Sequence, residues 1–358
     1  MVDINAFRRN PNWLRGKSIS SFIKHPGNKN QPHYNTLMRV AEQMAGTTGL
    51  DDPASGPGGF VQGLMPTGQV RMNEYDAGLV NMLRHLKNTE GGLTIPFSQY
   101  DSDMTPAKWR EDVRGATLRA IQQGNLPKKG SLNYYLHKIK QGIPLTPIEE
   151  YEMAQMYYMN KKTGFQGMVR MPTGYNNIPS GTLTPFKTGE DVNFLDYQPI
   201  FENVELRQGD AADALNEWDI NLNNLLASDP PYENQPSSYS ENYDMQRYLS
   251  ALNERINEGQ PIVAFDSADA ASKYADLGLN AQIMIRPDKS GAKAESRGDR
   301  LEMVATNIEG FDPLETLARF GHSRFVPNSR QQRDLLDFTL SEPQDAFEHG
   351  WAVLKGSQ

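Results

Sequence analysis

An open, Rossmann-like α/β sheet is the fold class this sequence predicts, on three observations. A short apolar run, Asn224–Ser228, has the length of a buried strand and delivers Asp229-Pro230-Pro231-Tyr232 at its carboxyl end. A strand, a glycine-rich turn at Asp52–Phe60, a short helix, a second strand Val70–Glu74 and a closing acid follow the grammar of an adenosine site. From Val204 to Thr306 strands and helices alternate again.

Taken in order, residues 1–20 are polar and irregular and read as an arm or lid. Phe22–Lys29 precedes a helix with Leu37, Val40, Ala41 and Met44 on one face. Gly27 beside Asn28 and Lys29 there presents amides and an ammonium to an anion, a carboxylate or a phosphate. Gly56, Gly58 and Gly59 leave room for a ligand to approach the backbone. Their spacing is not that of a dinucleotide fingerprint, so an adenosine ligand without pyrophosphate fits better. Glu74 leads into an amphipathic helix carrying Leu79, Val80, Leu83 and Leu86, and reads equally as a ribose ligand or a solvated cap.

Residues 95–200 change character, being rich in Pro, Gly, Tyr, Asn and Lys. Helices are expected over Ala107–Gln123 and Leu145–Met159, with an exposed basic loop, Pro127–Gly130, between them. Polar and aromatic residues around Tyr158–Arg170 and Tyr175–Gly181 suit a hairpin that reads base edges, or an ordinary polar insertion. Val204 opens a strand that ends near Asp210, followed by a helix over Ala211–Trp218. A helix over Asp244–Glu258 and strands at Pro261–Phe265, Ala281–Ile285 and Leu301–Thr306 come next, and a helical stretch Asp312–Phe320 precedes a polar tail.

Composition bounds the chemistry. At 358 residues the chain can bury a large core and divides most naturally into two domains. The net charge of −8 excludes a uniformly basic surface but not a local basic cleft. There is no cysteine, and the six histidines lack the paired spacing of a zinc site, so metal-free chemistry is expected. No stretch is apolar enough to span a membrane and the N-terminus lacks the apolar core of a signal peptide, which gives a cytoplasmic reading.

The tetrapeptide carries the sharpest chemistry. An exocyclic amine of a nucleobase is a poor nucleophile because its lone pair is delocalised into the ring. The carboxylate of Asp229 and the carbonyl of Pro230, both accepting its N–H bonds, would free that lone pair. Consecutive prolines fix φ and hold the carbonyl in place, and Tyr232 offers a face on which an extruded base stacks. Alone, Asp-Pro-Pro-Tyr reads equally well as a turn.

Together these segments resemble the Dam-type family of DNA adenine-N6 methyltransferases, in the order cofactor, target recognition, catalysis. Phe22–Lys29 is similar to the family's N-terminal block, Asp52–Phe60 to its Glu-Pro-Phe-x-Gly-x-Gly loop, and Asn73–Asp76 to the acid after its second strand. Met156–Arg170 with Asn177–Gly181 is similar to its recognition hairpin, and Arg286–Asn307 to its late hairpin and closing strand. Departures are His25 in place of an aromatic, Pro26-Gly27-Asn28 in place of Ala-Gly-Gly, and Phe265-Asp266-Ser267 where a Ser-Asn pair is usual. Residues 95–150 do not match clearly.

The resemblance implies a class I S-adenosylmethionine-dependent methyltransferase sheet with an inserted, mainly helical target-recognition domain. Residues 1–94 and 201–308 would form the catalytic domain, 95–200 the recognition domain with its hairpin near 165–181, and 309–358 an extension. S-adenosylmethionine is the implied cofactor, with His25 and Lys29 at its amino-acid end, Glu74 on the ribose, Asp210 near the adenine and Asp229 bordering the methionine portion. Asp229, Pro230, Pro231 and Tyr232 would be catalytic. Double-stranded DNA is the implied partner of a monomeric enzyme, with Gln166, Arg170 and Asn177 as base or backbone contacts. Lys128, Lys129, Lys161, Lys162, Lys293 and Arg297 are candidate phosphate contacts. Two other readings stay open: methylation of cytosine N4, and an idle DNA-binding protein of the same fold. RNA remains a possible substrate.

Overall fold

The computed structural model describes residues 8, 13–16, 20–23, 28–100, 102–115, 120–121, 123–164, 175–176, 180–181, 183–232, 243–287 and 299–327. Seven strands form the main sheet: β1 (Gly49–Asp52), β2 (Val70–Glu74), β3 (Val204–Gln208), β4 (Asn224–Ser228), β5 (Ile262–Ser267), β6 (Asn280–Pro287) and β7 (Asp299–Thr306). Their spatial order is β3-β2-β1-β4-β5-β7-β6. β1 runs parallel to β2 and β4, β2 to β3, and β4 to β5. β7 is reversed and pairs antiparallel with β5 and β6. The order turns round between β1 and β4. Ligands of open α/β sheets lie at that switch point, beyond the carboxyl ends of the strands.

The central strands are buried on both faces, so they read as continuous apolar runs. Alternate side chains still sort to opposite sides. Leu225, Ala227, Val263 and Phe265 enter one core cluster, while Leu226, Ile262 and Ala264 enter the other. Helices α1 (Pro32–Ala45), α2 (Gly59–Leu64), α3 (Ala77–Asn88), α4 (Leu132–Lys140) and α5 (Pro147–Thr163) supply the first cluster. Helices α6 (Ala211–Glu217), α7 (Met245–Asn257) and α8 (Ala271–Asp276) supply the second.

After α3 the chain leaves the sheet and returns at β3. The ends of this excursion are tied by a short antiparallel ribbon, Thr94–Ile95 with Val192–Asn193. A capping box, Thr146 with Glu149, starts α5. That helix packs against α3 so closely that a Cβ at Gly78 would lie 2.5 Å from the Tyr157 ring. An antiparallel bridge between Gly164 and Ser180 brackets the expected hairpin, most of which lies outside the described residues.

Two expectations need correction. Of the helix expected over Ala107–Gln123, the part up to Arg114 is a turn of α-helix at Pro106–Trp109 and a π-turn at Arg110–Arg114, broken at Gly115; residues 120 and 121 are helical, while 116–119 and 122 lie outside the described residues. Gly115 sits at φ 88, and a Cβ there would lie 2.4 Å from Ser131 Oγ. α4, begun just after Ser131, was not anticipated. On α1 the core face is Tyr34, Leu37, Met38 and Ala41; Met44 is 46% exposed and Val40 half-buried. The helical stretch expected over Asp312–Phe320 is present and joins the core. Helix α9 (Pro313–Arg319) packs on α1, and the ring of His33 stacks on Phe325 at 4.0 Å.

Candidate active site

Parallel strands bring four acids to one edge of the sheet: Asp52 from β1, Glu74 from β2, Asp229 just past β4, and Asp266 near the end of β5. Asp52 and Asp266 are wholly buried, and Glu74 nearly so. Asp229 is 16% exposed and stands at the mouth. Crowding carboxyl groups in low dielectric disfavours their charged forms. Burial, then Asp229 and Glu74, push Asp52 well above the usual carboxylate range. Among the described residues its two oxygens have no hydrogen-bond partner that meets normal geometry, although the nearby Ala54 amide eases the charge slightly. Burial carries Asp266 up to about 8 against the opposing Ser267 amide and Tyr274 hydroxyl.

Lys29 is the positive centre. Its placement depends on the glycine-rich loop, because a Cβ at Gly59 would come within 2.4 Å of Asn28 Oδ1 and 2.9 Å of the Lys29 nitrogen. The room expected at these glycines for a ligand is therefore taken by the chain itself; at Gly58 it is taken by Phe201. The Lys29 ammonium lies 3.2 Å from Asp229 Oδ1 and 2.5 Å from Glu302 Oε1. It also donates to the Tyr232 hydroxyl at 3.0 Å. Tyr232 donates to Glu302 Oε1 at 2.5 Å and reaches Asp229 Oδ1 at 3.3 Å. Tyr34 donates to the second oxygen of Glu302, and the Arg286 guanidinium stands 3.7 Å from the first.

These neighbours separate the two carboxylates. Burial raises Asp229 to about 6, with Lys29 pulling it down and Glu302 pushing it up. Burial also acts to raise Glu302, but Lys29 and Arg286 outweigh it and hold Glu302 down to about 2.

A second cluster closes the β2 end. Glu74 Oε1 accepts from the Asp76 amide at 2.8 Å, Asp76 caps α3, and Tyr157 of α5 donates to Asp76 Oδ2 at 2.7 Å. Burial lifts Glu74 to about 7 and lowers Lys161 to about 7, each eased by the other's charge. Tyr75, next to Glu74, is 59% exposed and offers an aromatic face at this rim.

The structure thus brings together Lys29, Asp229, Pro230, Pro231 and Tyr232, and sets Glu74 on the same sheet edge. Asp210 caps α6 and pairs with Arg247 at 3.3 Å. Lys161 is only 1% exposed and faces Asp76 and Glu74, so it is corrected from a phosphate contact to part of the buried site. Lys128 and Lys129 are exposed, Lys128 pairing with Asp112, and Lys162 is half-buried. His25, Gln166, Arg170, Asn177, Lys293 and Arg297 lie outside the described residues. The sequence reading missed Asp52 as a site acid and missed Glu302 altogether. Asp52 was visible as the acid opening the glycine-rich loop, whereas nothing local marks Glu302.

Among the described residues no group of His, Asp or Glu is arranged to hold a metal ion, and no helix is long and apolar enough to cross a membrane. No protein-family model and no curated protein matches the sequence.

Proposed function

We propose that the chain is a DNA adenine-N6 methyltransferase that uses S-adenosylmethionine. The observation that carries this reading is the position of Asp229-Pro230-Pro231-Tyr232 at the switch point, at the end of β4, beside the buried carboxyl of Asp52, for which the described residues supply no well-placed donor. A mostly parallel sheet in this order, with one reversed strand, is compatible with the class I methyltransferase sheet the resemblance implies.

The cofactor can be tested against the residues present. A buried acid with no well-placed donor among the described residues calls for a cationic or N–H-bearing ligand, and the surrounding acids make the edge favour positive charge. S-adenosylmethionine carries both an ammonium and a sulfonium, and no phosphate. Asp52 would hold its amino-acid end, Glu74 its ribose hydroxyls, and Tyr75 would lie along its base. When bound, it supplies an electrophilic methyl group.

The chain's own work is positioning and electrostatics. Tyr232, its hydroxyl fixed by Glu302 and Lys29, gives the extruded base a rigid aromatic neighbour. Extrusion itself costs a few kcal/mol of stacking and pairing. Asp229 and the Pro230 carbonyl accept the two N–H bonds of the amine and free its lone pair. Only ionised Asp229 can do this fully, so turnover should rise with pH through about 6.

The test is tritium transfer from labelled S-adenosylmethionine to duplex DNA, with mass analysis of the product nucleosides. N6-methyldeoxyadenosine is expected from the native chain, and a loss of about 10³-fold or more from Asp229→Ala, the scale of removing a main electrostatic group. Undiminished transfer by Asp229→Ala, or none by the native chain on DNA of mixed sequence, overturns the reading. N4-methyldeoxycytidine as the product would reassign the base.

A further inference from the structure

We infer that Glu302 is a positioning residue that keeps Asp229 free to accept the target amine, an inference that rests on the role proposed above for Asp229. Two donors, the Lys29 ammonium and the Tyr232 hydroxyl, lie between two carboxylates, and each sits closer to Glu302. Lys29 is 2.5 Å from Glu302 and 3.2 Å from Asp229; Tyr232 is 2.5 Å from Glu302 and 3.3 Å from Asp229. Charge-assisted bonds strengthen steeply as they shorten, so Glu302 takes the larger share of both donors. Its second oxygen is held by Tyr34, and only 2% of its side chain is exposed. It therefore cannot swing away.

Without Glu302 both donors would turn onto Asp229. The ammonium would then form a full ion pair with the carboxylate that must accept the amine, and the tyrosine would rotate with it. Glu302 also sits on reversed β7, opposite Ser267 of β5. The strand that departs from the parallel pattern is thus the one that supplies the competing carboxylate.

The groups facing Asp229 fix the direction of a pH test. Lys29 and Arg286 favour its charged form, while Glu302 opposes it. Asp52 and Asp266 couple to it from β1 and β5, and the hydroxyls of Tyr34, Tyr232 and Tyr248 also feel its charge. Glu302→Gln removes one opposing charge and keeps an acceptor oxygen, so Asp229 should titrate lower.

The experiment is a carboxyl-carbon NMR titration of the full chain carrying labelled aspartate and glutamate, with Asp229 assigned by its loss in Asp229→Asn. In the native chain Asp229 should titrate near 6. In Glu302→Gln its midpoint should fall by about one unit, the effect of deleting one nearby like charge. Methyl transfer by the same variant should lose about a hundredfold in kcat, the scale of a small misplacement at a reacting centre, with KM for S-adenosylmethionine within about twofold. Glu302→Asp, which keeps the charge, should recover part of kcat. An unmoved Asp229 midpoint in Glu302→Gln overturns the inference, whether or not the chain transfers methyl groups; absent transfer overturns only the functional reading. If Glu302→Gln does not fold, the native chain decides alone: Glu302 must stay ionised while Asp229 takes up its proton, and the reverse order overturns the inference.

Discussion

Asp51 and Asp52 are consecutive on β1 and both fully buried, but they face opposite sides of the strand. Asp51 is saturated. Its Oδ1 accepts from Arg71 Nε at 2.8 Å and Asn224 Nδ2 at 2.7 Å, and its Oδ2 from Arg71 Nη2 at 2.6 Å and Gln260 Nε2 at 2.7 Å. The cross-strand register places Arg71 directly beside it on β2. Among the described residues Asp52 has no such donors, and the acids Asp229, Glu74 and Asp51 bear on it. A buried charge supplied with every donor from within the chain holds the sheet together. One left short is arranged for a donor from outside. The contrast separates structure from function one residue apart.

Removing one half of the saturated pair should have the largest effect on folding. Arg71→Ala leaves the buried Asp51 carboxyl short of two bonds, a loss of about 3–5 kcal/mol. Urea unfolding would read this as a large drop in midpoint, or as a chain that does not accumulate folded. A small drop would mean that Asp51 is better hydrated than its burial indicates, and the contrast with Asp52 would weaken.

Asp52→Asn should do the reverse to stability and the greater damage to binding. The folded chain without ligand loses a carboxyl whose ionisation burial and the neighbouring acids oppose, so its thermal midpoint should hold or rise. Affinity for S-adenosylmethionine, measured by calorimetry, should fall by about 10–100-fold, the value of a charged hydrogen bond of about 1.5–3 kcal/mol. If the variant binds the cofactor unchanged, Asp52 is removed from the site and the carboxyl is only a burden on the fold.

How far all this could be read from the sequence depended on whether a feature is local. β2 and β4 were legible to the residue, because Val70 and Met72 alternate with Arg71 and Asn73 up to Glu74, and Leu225–Ala227 is a short apolar run just before Asp229-Pro230-Pro231-Tyr232. The helix expected over Ala107–Gln123 is interrupted at Gly115, where one glycine at positive φ outweighs the pattern around it. Met44 looked like core by its spacing, yet α1 presents Met38 and Tyr34 inward instead. At the site, Asp229 announced itself through its prolines. Glu302 could not, since its meaning comes from Lys29 and Tyr34, more than 260 positions away in the chain. Lys161 looked like a surface cation among polar residues, and only the packing of α5 on α3 reveals that it is buried.

The Asp52 reading also carries a pH signature of moderate size. A carboxyl whose folded pKa lies above its unfolded value, about 4 for aspartate, binds more protons folded than unfolded between the two. Its contribution to stability is then complete below the unfolded value and is lost as pH rises toward the folded one. Asn has no such loss. The thermal advantage of Asp52→Asn over the native chain should therefore widen between pH 5 and pH 8. A constant difference across that range would place the orphaned charge elsewhere, with Glu74 and Asp266 as the next groups to replace.

The smallest expected effect on the fold lies at the opposite extreme of exposure. Lys128 pairs with Asp112, but its side chain is 51% exposed in the loop before α4. A pair in such contact with water is worth little, so Lys128→Ala should change stability by no more than about 0.5 kcal/mol. Its value as a probe is therefore clean: any change in DNA binding cannot be blamed on unfolding. If this loop meets a phosphate, the variant should bind duplex DNA more weakly at every sequence, and the slope of log affinity against log salt should shrink by about one. An unchanged slope removes Lys128 from the interface and leaves its charge to Asp112 and Glu111. Parallel measurement on Lys161→Met sharpens the comparison, because that lysine is buried against Glu74 and its loss should weaken cofactor binding while leaving the salt slope as it was.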